Sequence, residues 1–249
     1  GSPGEGTLAS LHADGRMALT DIATGGTAIH EASPQATCLR SRSALAIVAE
    51  GERIVATTDQ GVVVWDRQGE RPIRELSSSP GECWWLMGTF PMSPFIVEAI
   101  GESVRLHDAL ADEEAPTVIE FERAVSSAQI GPKGAVLAVG TELGGLHLVD
   151  LADASVRWSG VVTDDTTGTG MDLFGTPLRV SVLSFDSSGS RLAVSTTTGF
   201  FVAVFDVKSG EMVWRTSHLG GRRGAHLPIL CGGDLTVADG GLHVWRSAT

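Results

Sequence analysis

The chain has 249 residues, 42% of them hydrophobic and 19% charged, a composition of globular domains that excludes a disordered chain. Its net charge of -12 argues against the dense basic face that grips a nucleic-acid backbone, and equally against a face that adheres to anionic lipid. No apolar run approaches the ~20 residues that cross a bilayer, so membrane insertion is not expected.

The opening GSPGEGTLAS has neither a basic stretch nor an apolar one, so no export signal is expected there. The sequence has no Asn and no Tyr, and sixteen Arg against two Lys, a bias toward GC-rich codons that suggests a bacterial source. From Thr7 onward a pattern recurs: a small apolar strand, a Gly-bearing turn, a second alternating strand, and then Asp21, Asp66, Asp108, Asp150 or Asp206. In the sixth copy Arg246 stands where the Asp would be. The spacings are 45, 42, 42, 56 and 40 residues. Short alternating strands at a period of about 40 to 45 residues are the signature of propeller blades.

In chain order this predicts blade A over residues 7–32 with strands b to d only, and blade B over 37–76. Blade C follows over 83–121, blade D over 125–162 and blade E over 178–216, each with four antiparallel strands a to d. Blade F, residues 226–247, stops after strand c. The predicted fold class is therefore all-β, one propeller domain with six visible blades. Blade F lacks a strand d and blade A a strand a. Because natural sheets avoid unpaired edges, the sequence predicts the C-terminal part of a seven-bladed ring, completed by a protein partner or another segment of a longer precursor. An imperfectly closed six-bladed ring is the alternative.

DQGVVVWD, TGFFVAVFDVKSGEMVW and GGLHVW resemble the WD40 repeat family, with Trp65-Asp66 as the one WD dipeptide at a strand end. The resemblance covers essentially the whole chain, although the GH dipeptide usual near each repeat start is absent. DLADASVRW and DVKSGEMVW also resemble the quinoprotein-type propeller repeat, with Trp158 and Trp214 each eight residues after an Asp. That resemblance implies that these tryptophans pack between blades, and burial is expected for Trp65, Trp158 and Trp214.

The long spacing comes from VVTDDTTGTGMDLFGTP, residues 161–177, a polar insertion between strand d of blade D and strand a of blade E. In WD40-like propellers such connections lie beside the b–c turns, on the face that usually binds partners. Asp164, Asp165, Asp172 and Phe174 of the insertion, and Arg222 and Arg223 of the next connection, SHLGGRRGAH, are therefore candidate partner-binding residues. The three aspartates have oxygen ligands to offer a hard cation but not the spacing of a calcium loop, so a solvated loop or protein contact is preferred and no metal is assigned. Arg222 and Arg223 are read as an anion clamp or as partners of those aspartates. Trp84 and Trp85 point to opposite sides of one strand, and Trp84 is a candidate binding-site ring. ALADEEAP, residues 109–116, reads as a solvated acidic c–d connection.

Cys38, Cys83 and Cys231 are odd in number and widely spaced, which fits free thiols in a reducing compartment, here the cytoplasm. No nucleophile-elbow, zincin or phosphate-loop motif occurs. His107, His147 and His243 recur at matching places in strand c and are read as structural. The expected function is a non-catalytic interaction or sensing module of a larger bacterial regulatory, signalling or defence protein, with no cofactor and no nucleic acid. The alternatives are a periplasmic quinoprotein-like or BamB-like scaffold, and a propeller enzyme or sugar-binding protein.

Overall fold

The computed structural model describes residues 7–11, 16–21, 24–31, 45–58, 61–66, 72–77, 85–86, 93–111, 115–162, 178–196, 201–217, 227–231, 234–238 and 242–246. Among the described residues six antiparallel sheets follow one another along the chain, and the fold class is an all-β propeller. Blade A is β1 (Thr7–Leu11), β2 (Arg16–Asp21) and β3 (Thr27–Glu31). Blade B is β4 (Leu45–Val48), β5 (Arg53–Thr58), β6 (Gly61–Asp66) and β7 (Pro72–Ser77). Blade C is β8 (Trp85–Leu86), β9 (Phe95–Ile100), β10 (Ser103–Asp108) and β11 (Thr117–Glu120). Blade D is β12 (Val125–Ile130), β13 (Val136–Thr141), β14 (Gly145–Asp150) and β15 (Val156–Val161). Blade E is β16 (Val180–Phe185), β17 (Arg191–Thr196), β18 (Phe201–Asp206) and β19 (Met212–Ser217). Blade F is β20 (Leu227–Cys231), β21 (Asp234–Ala238) and β22 (Leu242–Arg246). Among the described residues the first and last sheets hold three strands each and the other four hold four, in the predicted a-to-d succession.

The chain divides into two units, residues 1–100 with 106–116, and residues 101–105 with 117–249. In the first, Val48, Val55, Val62, Val64, Leu76 and Ile96 pack into one buried cluster. In the second, Ala138, Leu146 and Leu148 of blade D close against Val180, Leu192, Val194 and Phe205 of blade E. The central strand β13, VLAVGT, is buried along its whole length, which suits small and β-branched side chains covered on both faces.

At Asp108, Asp150 and Asp206 the repeated Asp acts on its own neighbourhood, ending strand c by closing the c–d turn. Asp150 Oδ1 accepts the Ala152 N–H at 3.0 Å, Asp108 Oδ1 the Leu110 N–H at 2.8 Å, and Asp206 Oδ1 the Ser209 N–H at 2.9 Å. The other oxygen takes an arginine, Arg157 Nε at 2.9 Å on Asp150 and Arg191 Nη1 at 2.9 Å on Asp206. Backbone bonds, first from Ala152 and from Ser209 respectively, hold both carboxyls below the usual carboxylate range, and Arg157 and Arg191 act in the same direction. In register, Arg53 lies opposite Asp66 and Arg191 opposite Asp206, and in blade F Asp234 lies opposite Arg246, so the two residue types exchange strands there.

The expected burial of the tryptophans holds in full for Trp65 alone. It is 1% exposed, while Trp158 and Trp214 are half-buried. Strand d is the outer edge of a blade, so a ring there is covered on one side only. Trp158 donates its Nε1–H to Val207 O at 2.9 Å and stacks on Phe205, centroids 6.3 Å apart. Its ring lies so close over Gly210, which has a φ of +72°, that an added Cβ would come within 2.8 Å. Blade D thus docks its strand d onto the c–d turn of blade E.

Candidate functional site

The polar insertion springs from a well-anchored base. Val162 and Leu178, which flank residues 163–177, are both fully buried. Gly144, in the b–c turn of blade D, receives the Val162 N–H on its carbonyl at 2.7 Å. Its φ is +77°, and a Cβ there would stand 2.6 Å from Val162 O and 3.1 Å from Leu178 O. Only glycine fits that pinch. Both stems of the insertion therefore lie beside the b–c turn, as the repeat layout predicts.

Next to them is a cleft of about 470 Å³. Three pieces of chain build it. The link from β11 to β12 supplies Phe121, Glu122 and Arg123, after Glu120 at the end of β11. The turn from β13 to β14 supplies Glu142 and Leu143, and the β14–β15 hairpin supplies His147, Ser159, Val156 and Val161. The link is fixed by backbone bonds, Phe121 N–H to Glu102 O at 2.8 Å and Val125 N–H to Gly101 O at 2.8 Å. The turn is tied to it through the Glu142 N–H and Ala124 O at 2.9 Å.

His147 and Ser159 face each other across the hairpin, and His147 Nδ1 lies 2.8 Å from Ser159 Oγ. Phe121 packs against the imidazole, with ring centroids 5.0 Å apart at a tilt of 51°. Burial pushes the imidazole below its usual pKa, with the nearby Glu122 carboxylate opposing the shift, so the ring is mostly neutral at pH 7. Glu120, Glu122 and Glu142 are exposed carboxylates on the rim, with Arg123 as the cation beside them. Arg179 reaches Glu142 at 4.0 Å, the outer limit of an ion pair. Val156 and Val161 are 46% and 44% exposed, large values for valines of a strand.

All seven residues proposed from the sequence as partner-binding, Asp164, Asp165, Asp172, Phe174, Arg222, Arg223 and Trp84, lie outside the described residues, as do the acidic residues 112–114 of the c–d connection. Trp85 pairs in register with Ala99. The three histidines do not share one place in the repeat. His147 and His243 stand three residues before Asp150 and Arg246, whereas His107 stands one residue before Asp108. SVRLHD and GLHLVD both carry a His, but at different registers of strand c. His107 is buried and bonded through Nε2 to the buried Glu98 Oε2 at 3.0 Å, while His147 opens on the cleft. Among the described residues no group of three or more His, Cys, Asp and Glu is arranged to hold a metal ion, and no helix is long and apolar enough to cross a membrane.

The cleft residues carry no sequence motif, because they come from one link, one turn and two paired strands that meet only after folding. Their one legible mark is EFER, residues 120–123, a charged stretch with an aromatic residue inside a link expected beside the b–c turns.

The sequence matches one protein family over residues 5–249, the family described as outer membrane protein assembly factor BamB. No curated protein matches it. Among solved structures it is similar to the β-propeller domain of Myceliophteria thermophila Cps50 (Swd1), at 17% identity and a TM-score of 0.60. That likeness covers 78% of this chain and 60% of the other, so the chain spans less than two thirds of that structure's length.

Proposed function

The chain belongs to the BamB family of propellers, and on that premise we propose that it is a non-catalytic scaffold that binds protein partners beside the b–c turn of blade D. The observation that carries this reading is the cleft: two paired strands and two backbone-anchored connections bring exposed valines, an aromatic pair and three carboxylates to one place, next to the anchored stems of a polar insertion. Loops placed by a stiff sheet are where such folds put recognition. Within this reading the chain is a regulatory or interaction module of a larger bacterial protein, as its WD40-like repeats suggest. Its three widely spaced cysteines fit the cytoplasm.

The family's description favours a second reading, an assembly scaffold of the cell envelope. Two measurements separate them. A photo-crosslinking residue at Ser159 should capture one identifiable protein in the native host, and capture should fail with Glu142→Lys; equal capture from the exposed turn residue Ser188 overturns the cleft as the binding face. Localisation of the tagged full-length gene product then decides the compartment, and export would put the envelope reading first.

A further inference from the structure

Resting on that reading of the face, we propose that the cleft beside blade D receives an arginine side chain of the partner, presented between apolar residues. Charge complementarity points this way. Glu120, Glu122 and Glu142 surround a cleft whose one lining cation, among the described residues, is Arg123, in a chain that is itself strongly acidic. Arg179 is too far from Glu142 to hold it firmly. The walls suit a guanidinium better than an ammonium. A planar, delocalised cation pairs with carboxylates through two parallel bonds and stacks on flat rings, and here the ring of His147 stands in the cleft with Phe121 behind it. Because burial disfavours the charged imidazole, His147 meets the incoming cation without repelling it. Exposed Val156, Val161 and the side chain of Leu143 give apolar neighbours of the arginine a surface to cover.

The test uses the full chain, labelled with nitrogen-15, and two blocked pentapeptides, acetyl-Val-Leu-Arg-Val-Leu-amide and the same peptide with citrulline for arginine. Citrulline keeps the shape and removes the charge. The arginine peptide is expected to shift the amides of Gly145, Ser159 and Gly160. Its affinity should fall about tenfold in the Glu122→Gln, Glu142→Gln double variant and fall again at high salt, since the attraction is screened. These glutamates are exposed, so the variant keeps its fold. Equal binding of the citrulline peptide at the same amides overturns the arginine assignment while leaving the face as a protein-docking surface. Shifts confined to other blades, or none from either peptide at millimolar concentration, also overturn it. Crosslinking from Ser159 then judges the docking reading on its own.

Discussion

Blades B and D end in the same way and dock differently. In each, the residue eight positions after the strand-c Asp sits on strand d opposite the residue two before that Asp: Arg74 opposite Val64, and Trp158 opposite Leu148. In each, a bulge follows at once, between Val64 and Trp65 and between Leu148 and Val149. Trp158 lays its ring over Gly210 and donates one hydrogen bond to Val207 O. Arg74 reaches the next c–d turn too, donating to Ala111 O at 3.0 Å and Asp108 O at 3.3 Å. One register position therefore carries two chemistries. In the second unit it is an aromatic plate completing an apolar cluster. In the first it is a guanidinium clasping carbonyls, in a blade pair that also buries the Glu98–His107 contact. The lesson is that this repeat keeps a docking position rather than a residue type.

The largest effect expected from breaking this contrast lies in the polar unit. His107→Ala strips a buried carboxyl of its imidazole, and removing one partner of a buried pair costs about 3–5 kcal/mol. Replacing Glu98 and His107 together by Gln and Leu should recover most of that loss in urea unfolding. No recovery would show that the pair is a packing element only.

Next comes Trp158→Ala, at about 3 kcal/mol for a half-buried ring that leaves a hollow against Phe205. Gly210→Ala should cost about 1–2 kcal/mol, since it forces a side chain to a positive φ and into the indole. If both variants melt with the wild type, Trp158 is not the dock.

Arg74→Ala should lose about 1–2 kcal/mol with its two hydrogen bonds. Arg74→Trp sharpens the comparison. Recovery of stability would show the two blades to be interchangeable at this position, and a loss beyond that of Arg74→Ala would show that blade C, unlike blade E, offers no plane for a ring.

The smallest effect is electrostatic. The lowered pKa values of Asp150 and Asp206 mean that the folded state holds these protons less tightly than the unfolded chain. Their contribution is therefore complete above the usual carboxylate range and is lost as the pH falls through and below about 4. In Asp150→Asn, Asp206→Asn the acid limb of the stability curve should flatten, and an unchanged limb would assign acid sensitivity to other carboxylates.

Much of this architecture was legible because the repeated Asp acts locally. A side chain that closes its own turn, as Asp108, Asp150 and Asp206 do, recurs at the strand end, so these residues, with Asp66 at the same place in its repeat, mark the blade boundaries in the sequence. Trp158 and Trp214 were legible for the same reason, being a fixed distance beyond. Arg74 obeys the same spacing yet was not legible, because a guanidinium shares the position with the indoles but not their residue type. The cleft was illegible for a different reason. Glu122, Glu142 and Ser159 have no common spacing and become neighbours only through backbone bonds such as Glu142 N–H to Ala124 O.

The pinch at Gly144 has one more consequence. With Val162 and Leu178 both buried and their carbonyls converging on one glycine, the blade is finished before the insertion begins. For any loop closed between two fixed stems, each doubling of length costs only about 0.6 kcal/mol, so a change of length between these stems is tolerated while the sheets beneath stay as they are. For the protein engineer, the same two stems are a socket for a foreign peptide, and substitution of Gly144 is what would spoil it.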